Sequence, residues 1–160
     1  MAIHKLQIDD FITIDYELIA IHSTLEDYRL AYFINRELSI LLEKNQKDIE
    51  IRVKEGDSCF TRFVFDDEEN EITWNLIQNK GTVSSRQNTV SLFEETGLDV
   101  ATSVFLIPEL KKVDYFIKIE NTGGDLALEG LISKLLTIRQ ITTAYEIDHQ
   151  KLKSKNNLIF

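Results

Sequence analysis

Apolar residues in this chain change from strand-like to helix-like spacing twice, once towards each end, and that order restricts the fold more than any single motif. The continuous run Leu18-Ile19-Ala20-Ile21 suits a strand covered on both faces, central in a sheet. Soon after it, Leu30, Phe33, Ile34, Leu38 and Leu41 recur at three- and four-residue steps, which predicts one apolar helix face running to about Leu42. Leu25, Tyr28 and Tyr32 widen that face, and Ser23 with Glu26 has the spacing of a capping box at its start. The second change follows Val113, Tyr115, Ile117 and Ile119, which alternate with Asp114, Phe116, Lys118 and Glu120. After a loop containing Gly123-Gly124, residues Leu128, Leu131, Ile132, Leu135 and Ile138 mark a helix over about 125–137. Its early acids, Asp125 and Glu129, and late bases, Lys134 and Arg139, suit the helix dipole. Ile141, Thr143, Tyr145 and Ile147 predict a last strand.

Between the two units lie three alternating segments, 49–54, 59–66 and 71–78, joined by the Gly56-Asp57 turn and an acidic loop over 66–70. They read as an antiparallel meander. Residues 1–14 alternate weakly, as a short edge strand or extended arm does, and 102–107 reads as a further strand. Periodicity fades over 79–101, which predicts a long loop or insertion. The expected fold is a single α+β domain over 1–160. Its sheet is predominantly antiparallel with two helices on one face, a ferredoxin-like core with extra strands. Leu158-Ile159-Phe160 is too apolar to trail in water and is expected to dock.

Composition narrows the function. A net charge of −9 argues against nucleic acid as the main partner, which needs a positive footprint. No apolar run approaches the roughly 18 residues of a membrane span, and residues 1–6 lack a signal-peptide core, so a cytoplasmic protein off the membrane is expected. The one cysteine, Cys59, fits that compartment and reads as a small buried hydrophobe. Lys151, Lys153 and Lys155 read as a solvated run. His4, His22 and His149 are scattered without metal-ligand spacing, and the acidic loop lacks the pattern of a calcium site. Gly123-Gly124 matches neither a dinucleotide fingerprint nor a P-loop. No metal and no cofactor is expected.

The most conspicuous stretch holds the only proline: Ile107-Pro108-Glu109-Leu110-Lys111-Lys112-Val113-Asp114-Tyr115. Through it the chain resembles the IPExxxVDY family, small bacterial proteins typical of the Bacteroidetes. Further similarity lies in Asp27-Tyr28-Arg29-Leu30-Ala31, in Tyr145-Glu146-Ile147-Asp148 and in Leu158-Ile159-Phe160. The resemblance implies no activity, cofactor or catalytic residue.

Glu109, Asp114 and Tyr115 could set an acid, a base and a phenol around a ligand. Strand geometry opposes this, because Asp114 and Tyr115 then point to opposite faces. Tyr115 joins the core with Ile117 and Ile119, and Pro108 takes the second position of a turn. The motif is therefore expected to be a shaped corner between two strands. His22 and Arg29, with Glu26 and Asp27, lie where a strand meets a helix start, a place where a histidine can act as a base. The sequence supplies no nucleophile there beyond Ser23. The expected function is a non-catalytic module that binds another protein or, as a homodimer through an exposed sheet face, itself. Alternatives are a small-ligand sensor and an enzyme using His22 or Asp114.

Overall fold

The computed structural model describes residues 15–54, 56–84 and 103–160. Among the described residues, ten strands and two α-helices follow in order: β1 (Tyr16–Ser23), α1 (Asp27–Leu38), β2 (Glu43–Lys44), β3 (Ile49–Val53), β4 (Gly56–Phe60), β5 (Arg62–Asp67), β6 (Ile72–Gln78), β7 (Lys80–Ser84), β8 (Ser103–Phe105), β9 (Tyr115–Glu120), α2 (Leu128–Thr137) and β10 (Ile141–Glu146). Short 3-10 turns occupy Pro108–Leu110, His149–Lys151 and Lys155–Leu158. The fold is α+β, as the order of periodicities predicts.

The strands divide between a six-stranded sheet, β10-β1-β9-β6-β5-β2, and a four-stranded sheet, β3-β4-β7-β8. All pairings are antiparallel. Within the large sheet, the order β10-β1-β9-β6, with α2 linking β9 to β10 and α1 leaving β1, is the ferredoxin-like core. β5 and β2 extend one side of it. One apolar cluster joins the helices to the sheet through Ile19, Ile21, Leu30, Ile34, Trp74, Leu76, Tyr115, Ile117, Leu131 and Leu135. The alternate residues Leu18, Ala20, Ile77 and Phe116 point the other way and pack with Ile49, Phe60, Val104 and Leu106 from the region of the small sheet. Leu158 from the C-terminal tail completes this second cluster, so the expected docking occurs at that residue, while Ile159 and Phe160 stay 56% and 43% exposed. β1 is thus covered on both faces, which is why its sequence is apolar without alternation.

The middle of the chain departs from a simple meander. Residues 59–66 do not form one strand: the chain breaks at Thr61, leaving β4 in the small sheet and β5 in the large one. Its partner makes the same crossing at Asn79, between β6 and β7. The ribbon stays paired through the corner, where the Gln78 N–H donates to the Thr61 carbonyl at 3.1 Å. Just past the corner, a Cβ on Gly81 would lie 2.7 Å from both the Cys59 carbonyl oxygen and the Phe60 ring, so the close approach requires glycine. Alternation is the same in either sheet, so it does not reveal the crossing. Part of the expected loop over 79–101 is therefore strand β7, and 85–102 lies outside the described residues, as does the arm over 1–14. Cys59 is only partly buried.

The helix boundaries also shift. α1 begins at Asp27, so Ser23 and Glu26 do not form a capping box; the Ser23 hydroxyl accepts from the Leu25 N–H and donates to the Gln140 carbonyl. α1 stops at Leu38, where Ser39 takes a left-handed conformation with φ of 56°. The Asn35 side chain then clamps the backbone of Leu42 through both its amide atoms. Tyr28 and Tyr32 do not widen the buried face: each is 60% exposed. α2 starts at Leu128 instead of 125. Among the described residues, no helix is long and apolar enough to cross a membrane.

Candidate functional site

The proline stretch forms a corner between β8 and β9. The Leu110 N–H donates to the Ile107 carbonyl, with Pro108 in the second position of the turn. A residue outside the motif clamps this corner. Asn79, fully buried, donates through Nδ2 to the Leu110 and Val113 carbonyls, and its Oδ1 accepts from the Ile107 N–H. Its own backbone N–H donates to the Asp114 carbonyl, and its carbonyl accepts from Leu106. The asparagine at which the ribbon changes sheets thus holds the motif in place. Read in sequence it is only a turn residue before a lysine and a glycine.

Each candidate residue of the motif ties down a different segment. Asp114 Oδ2 accepts from the Ser23 N–H at 2.9 Å, where the β1–β10 register shifts between His22 and Ser23. The Tyr115 hydroxyl donates to the Leu25 carbonyl at 2.6 Å. Burial, followed by the charges of Asp27, Asp114 and Glu26, pushes the Tyr115 phenol up to about 12. It holds its proton at neutral pH and fixes the entry to α1. Glu109 reaches the tail, accepting from the Ser154 N–H at 2.8 Å and the Ser154 hydroxyl at 2.9 Å. Burial works to raise the Glu109 carboxyl, but hydrogen bonds from Ser154, from its own amide and from Lys153 outweigh it and hold the group below its ordinary value.

His22 and Arg29 stand apart from these ties. His22 finishes β1, with Nε2 3.4 Å from the Tyr145 hydroxyl and its ring stacked on Tyr145 at 5.8 Å between centroids. Arg29 is exposed on α1. Asp114, Tyr115 and the segment 22–25 are therefore brought together, while Arg29 and Glu109 are not part of that group. Two shallow depressions of about 480 and 600 Å³ occur elsewhere, both lined by Arg62 and neither by any of the five candidate residues.

Sequence patterning missed a polar network beside those depressions. Lys118, in the middle of β9, is 1% exposed and lies 2.6 Å from Glu120 Oε1. Asn75 donates to the second Glu120 oxygen at 3.1 Å and accepts from Arg62 Nε at 2.9 Å. The Phe160 ring lies near both cations, 4.4 Å from the Arg62 guanidinium carbon and 4.5 Å from Lys118 Nζ. Tyr16 faces Lys118 at 4.9 Å and stacks on His149. Burial pulls the Lys118 ammonium below its ordinary value, opposed by the hydrogen bond and charge of Glu120. The carboxylate and the aromatic rings together compensate a charge that burial alone would disfavour. The only signal in sequence was the placement of Lys118 on the same strand face as Phe116.

A third group of residues faces outward. Tyr28, Arg29, Tyr32 and Arg36 are exposed along α1, opposite the buried residues Leu30, Ala31 and Ile34. The Arg36 guanidinium lies 5.2 Å from the Phe33 ring centre. Among the described residues neither arginine of this stripe forms an ion pair. Comparison with models of protein families, with curated proteins and with solved structures finds no match for this chain.

Proposed function

We propose that this chain is a non-catalytic protein-interaction module of the cytoplasm that presents the outward face of α1 to a partner. The observation that carries the reading is the exposure of Tyr28 and Tyr32, 60% each, one helical turn apart and flanked by Arg29 and Arg36. Tyrosine and arginine are the side chains that most often dominate the energetics of protein interfaces. An exposed face of the large sheet is not the surface in this reading, since apolar residues on its alternate sides enter two internal clusters. The engagement of Asp114 and Tyr115 with backbone groups favours structural work for the motif over catalysis. Membership of the IPExxxVDY family, suggested by the motif, adds no activity to this picture.

The test is capture of a defined partner by the native chain and by a Tyr28→Ala/Tyr32→Ala variant of unchanged melting temperature. Loss of the partner is expected; equal capture by both chains removes the reading. A small-ligand sensor is the second reading, favoured by the position of Arg62 in both depressions. A thermal-shift screen with nucleotides and amino acids tests it, and a flat response counts against it.

A further inference from the structure

We propose that residues 148–160 form a releasable strap, latched on the proline corner by Glu109, which gates Lys118 and the depression beside Arg62. β10 ends at Glu146, and the next N–H, that of Ile147, still donates to the Leu18 carbonyl of the sheet. From Asp148 onward, the backbone–backbone hydrogen bonds found among the described residues stay within the segment: Lys151 to Asp148, Leu152 to His149, Asn157 to Ser154 and Ile159 to Asn156. The segment thus holds its shape through its own 3-10 turns and not by pairing with a strand.

Side chains fasten it to the domain. Leu152 and Leu158 are buried in the cluster behind the large sheet, and His149 stacks on Tyr16 at 3.9 Å between ring centroids. Two polar ties land on the proline corner. Asn157 Nδ2 donates to the Leu106 carbonyl at 2.8 Å, and Glu109 accepts from the Ser154 N–H and hydroxyl. Ser154 immediately precedes the turn Lys155–Leu158, so the Glu109 latch fixes one end of that turn while Phe160 lies beyond the other. A segment attached in this way opens at a lower free energy than strands paired along both edges.

What the strap covers gives its opening a consequence. The Phe160 ring rests on the Arg62 guanidinium and on Lys118 Nζ, and Lys118 is almost fully buried beneath it. Such contacts are weak where one side of the ring meets water. Asn156, Asn157, Ile159 and Phe160 also line the depression of about 600 Å³, together with Arg62. Lifting the strap removes this part of its lining and uncovers Lys118, with Glu120 still bonded to it. A ligand or partner that enters there competes with the strap. Glu109 of the proline motif, through Ser154, sets how often the place is open.

Acylation of the full chain by a succinimidyl ester at one pH, read at each lysine by peptide mass spectrometry, tests the proposal. In the native chain Lys118 is expected to react far more slowly than exposed Lys44. Glu109→Ala is expected to speed the reaction at Lys118 about tenfold or more, because the closed strap then lacks its hydrogen bonds to a charged group. Phe160→Ala should also speed it. Tyr115→Phe removes a hydrogen bond on the opposite face of the sheet and is expected to leave the Lys118 rate unchanged, which separates strap opening from unfolding of the whole domain. If Phe160→Ala speeds the reaction and Glu109→Ala does not, Phe160 frays alone and the strap is refuted. Equal acceleration by Tyr115→Phe, or a Lys118 rate indifferent to Phe160→Ala, overturns the proposal as well.

Discussion

The two faces of the large sheet are closed in different ways. Towards the helices, the buried cluster is apolar but for the Tyr115 hydroxyl, which donates to a carbonyl, and the buried Trp74 indole N–H. Towards the small sheet, the same strands bury Lys118, Asn75 and Asn79 among apolar neighbours. The difference follows from what covers each face. A helix satisfies its own backbone hydrogen bonds and brings only side chains to the interface. A second sheet made from the same ribbon must receive strands that leave the first, and at each crossing backbone groups lose regular partners. Asn79 supplies those partners at the β6–β7 crossing. The Lys118 network lies where the tail crosses the sheet and closes with Phe160. The helix face is therefore held by area, and the sheet face by area plus a few indispensable polar atoms.

The sharpest way to break this contrast is Asn79→Ala. It leaves the Ile107 N–H and the Leu110 and Val113 carbonyls without their side-chain partners, at a cost of about 4 kcal/mol in chemical denaturation. A loss below 1 kcal/mol would mean the corner holds itself. Lys118→Ala comes next, at about 3 kcal/mol, because it removes the cation bonded to the Glu120 carboxylate, leaving it only Asn75 among the described residues, and empties a buried site beside Phe160. Replacing the pair by Lys118→Met with Glu120→Leu should recover most of that loss; failure to do so would show that the pair is required for packing and not merely balanced.

On the helix face, Tyr115→Phe removes one hydroxyl and should cost about 1–2 kcal/mol. Because the folded pKa of Tyr115 is raised, its contribution is complete below about 10, the unfolded value, and is lost as pH rises through about 12. Ultraviolet absorbance during alkaline titration should therefore lose its latest tyrosine step in Tyr115→Phe. The smallest effect is expected from Glu109, whose folded pKa is lowered. Its hold on the tail is complete above about 4.3 and fades as pH falls through the lower folded value. Amide exchange at Ser154 should speed up across that window in the native chain, and Glu109→Gln should abolish the pH step.

Much of the architecture is legible in residue spacing. The unbroken run Leu18–Ile21 announces a doubly covered strand, the alternation after Val113 announces β9, and their order around two helical patterns leads to the α+β class. Pro108 announces a turn, and the place of Tyr115 beside Ile117 and Ile119 announces a core tyrosine. These are local consequences of period and of fixed backbone angles, which neighbours in sequence impose wherever the segment ends up.

Other features depend on what the segment meets in space. Tyr28 and Tyr32 continue a helical apolar pattern, and only the position of the sheet under Leu30 and Ile34 turns them outward. Lys118 alternates like a solvent-facing residue, and only the tail, some forty residues later, brings Phe160 against it. Asn79 resembles any turn asparagine until the chain from 106 to 114 folds over it. So the proline motif could be read as a corner from its residues alone, but not the groups that hold it. Those partners are joined by hydrogen bonds and burial across long separations, and no local spacing encodes them.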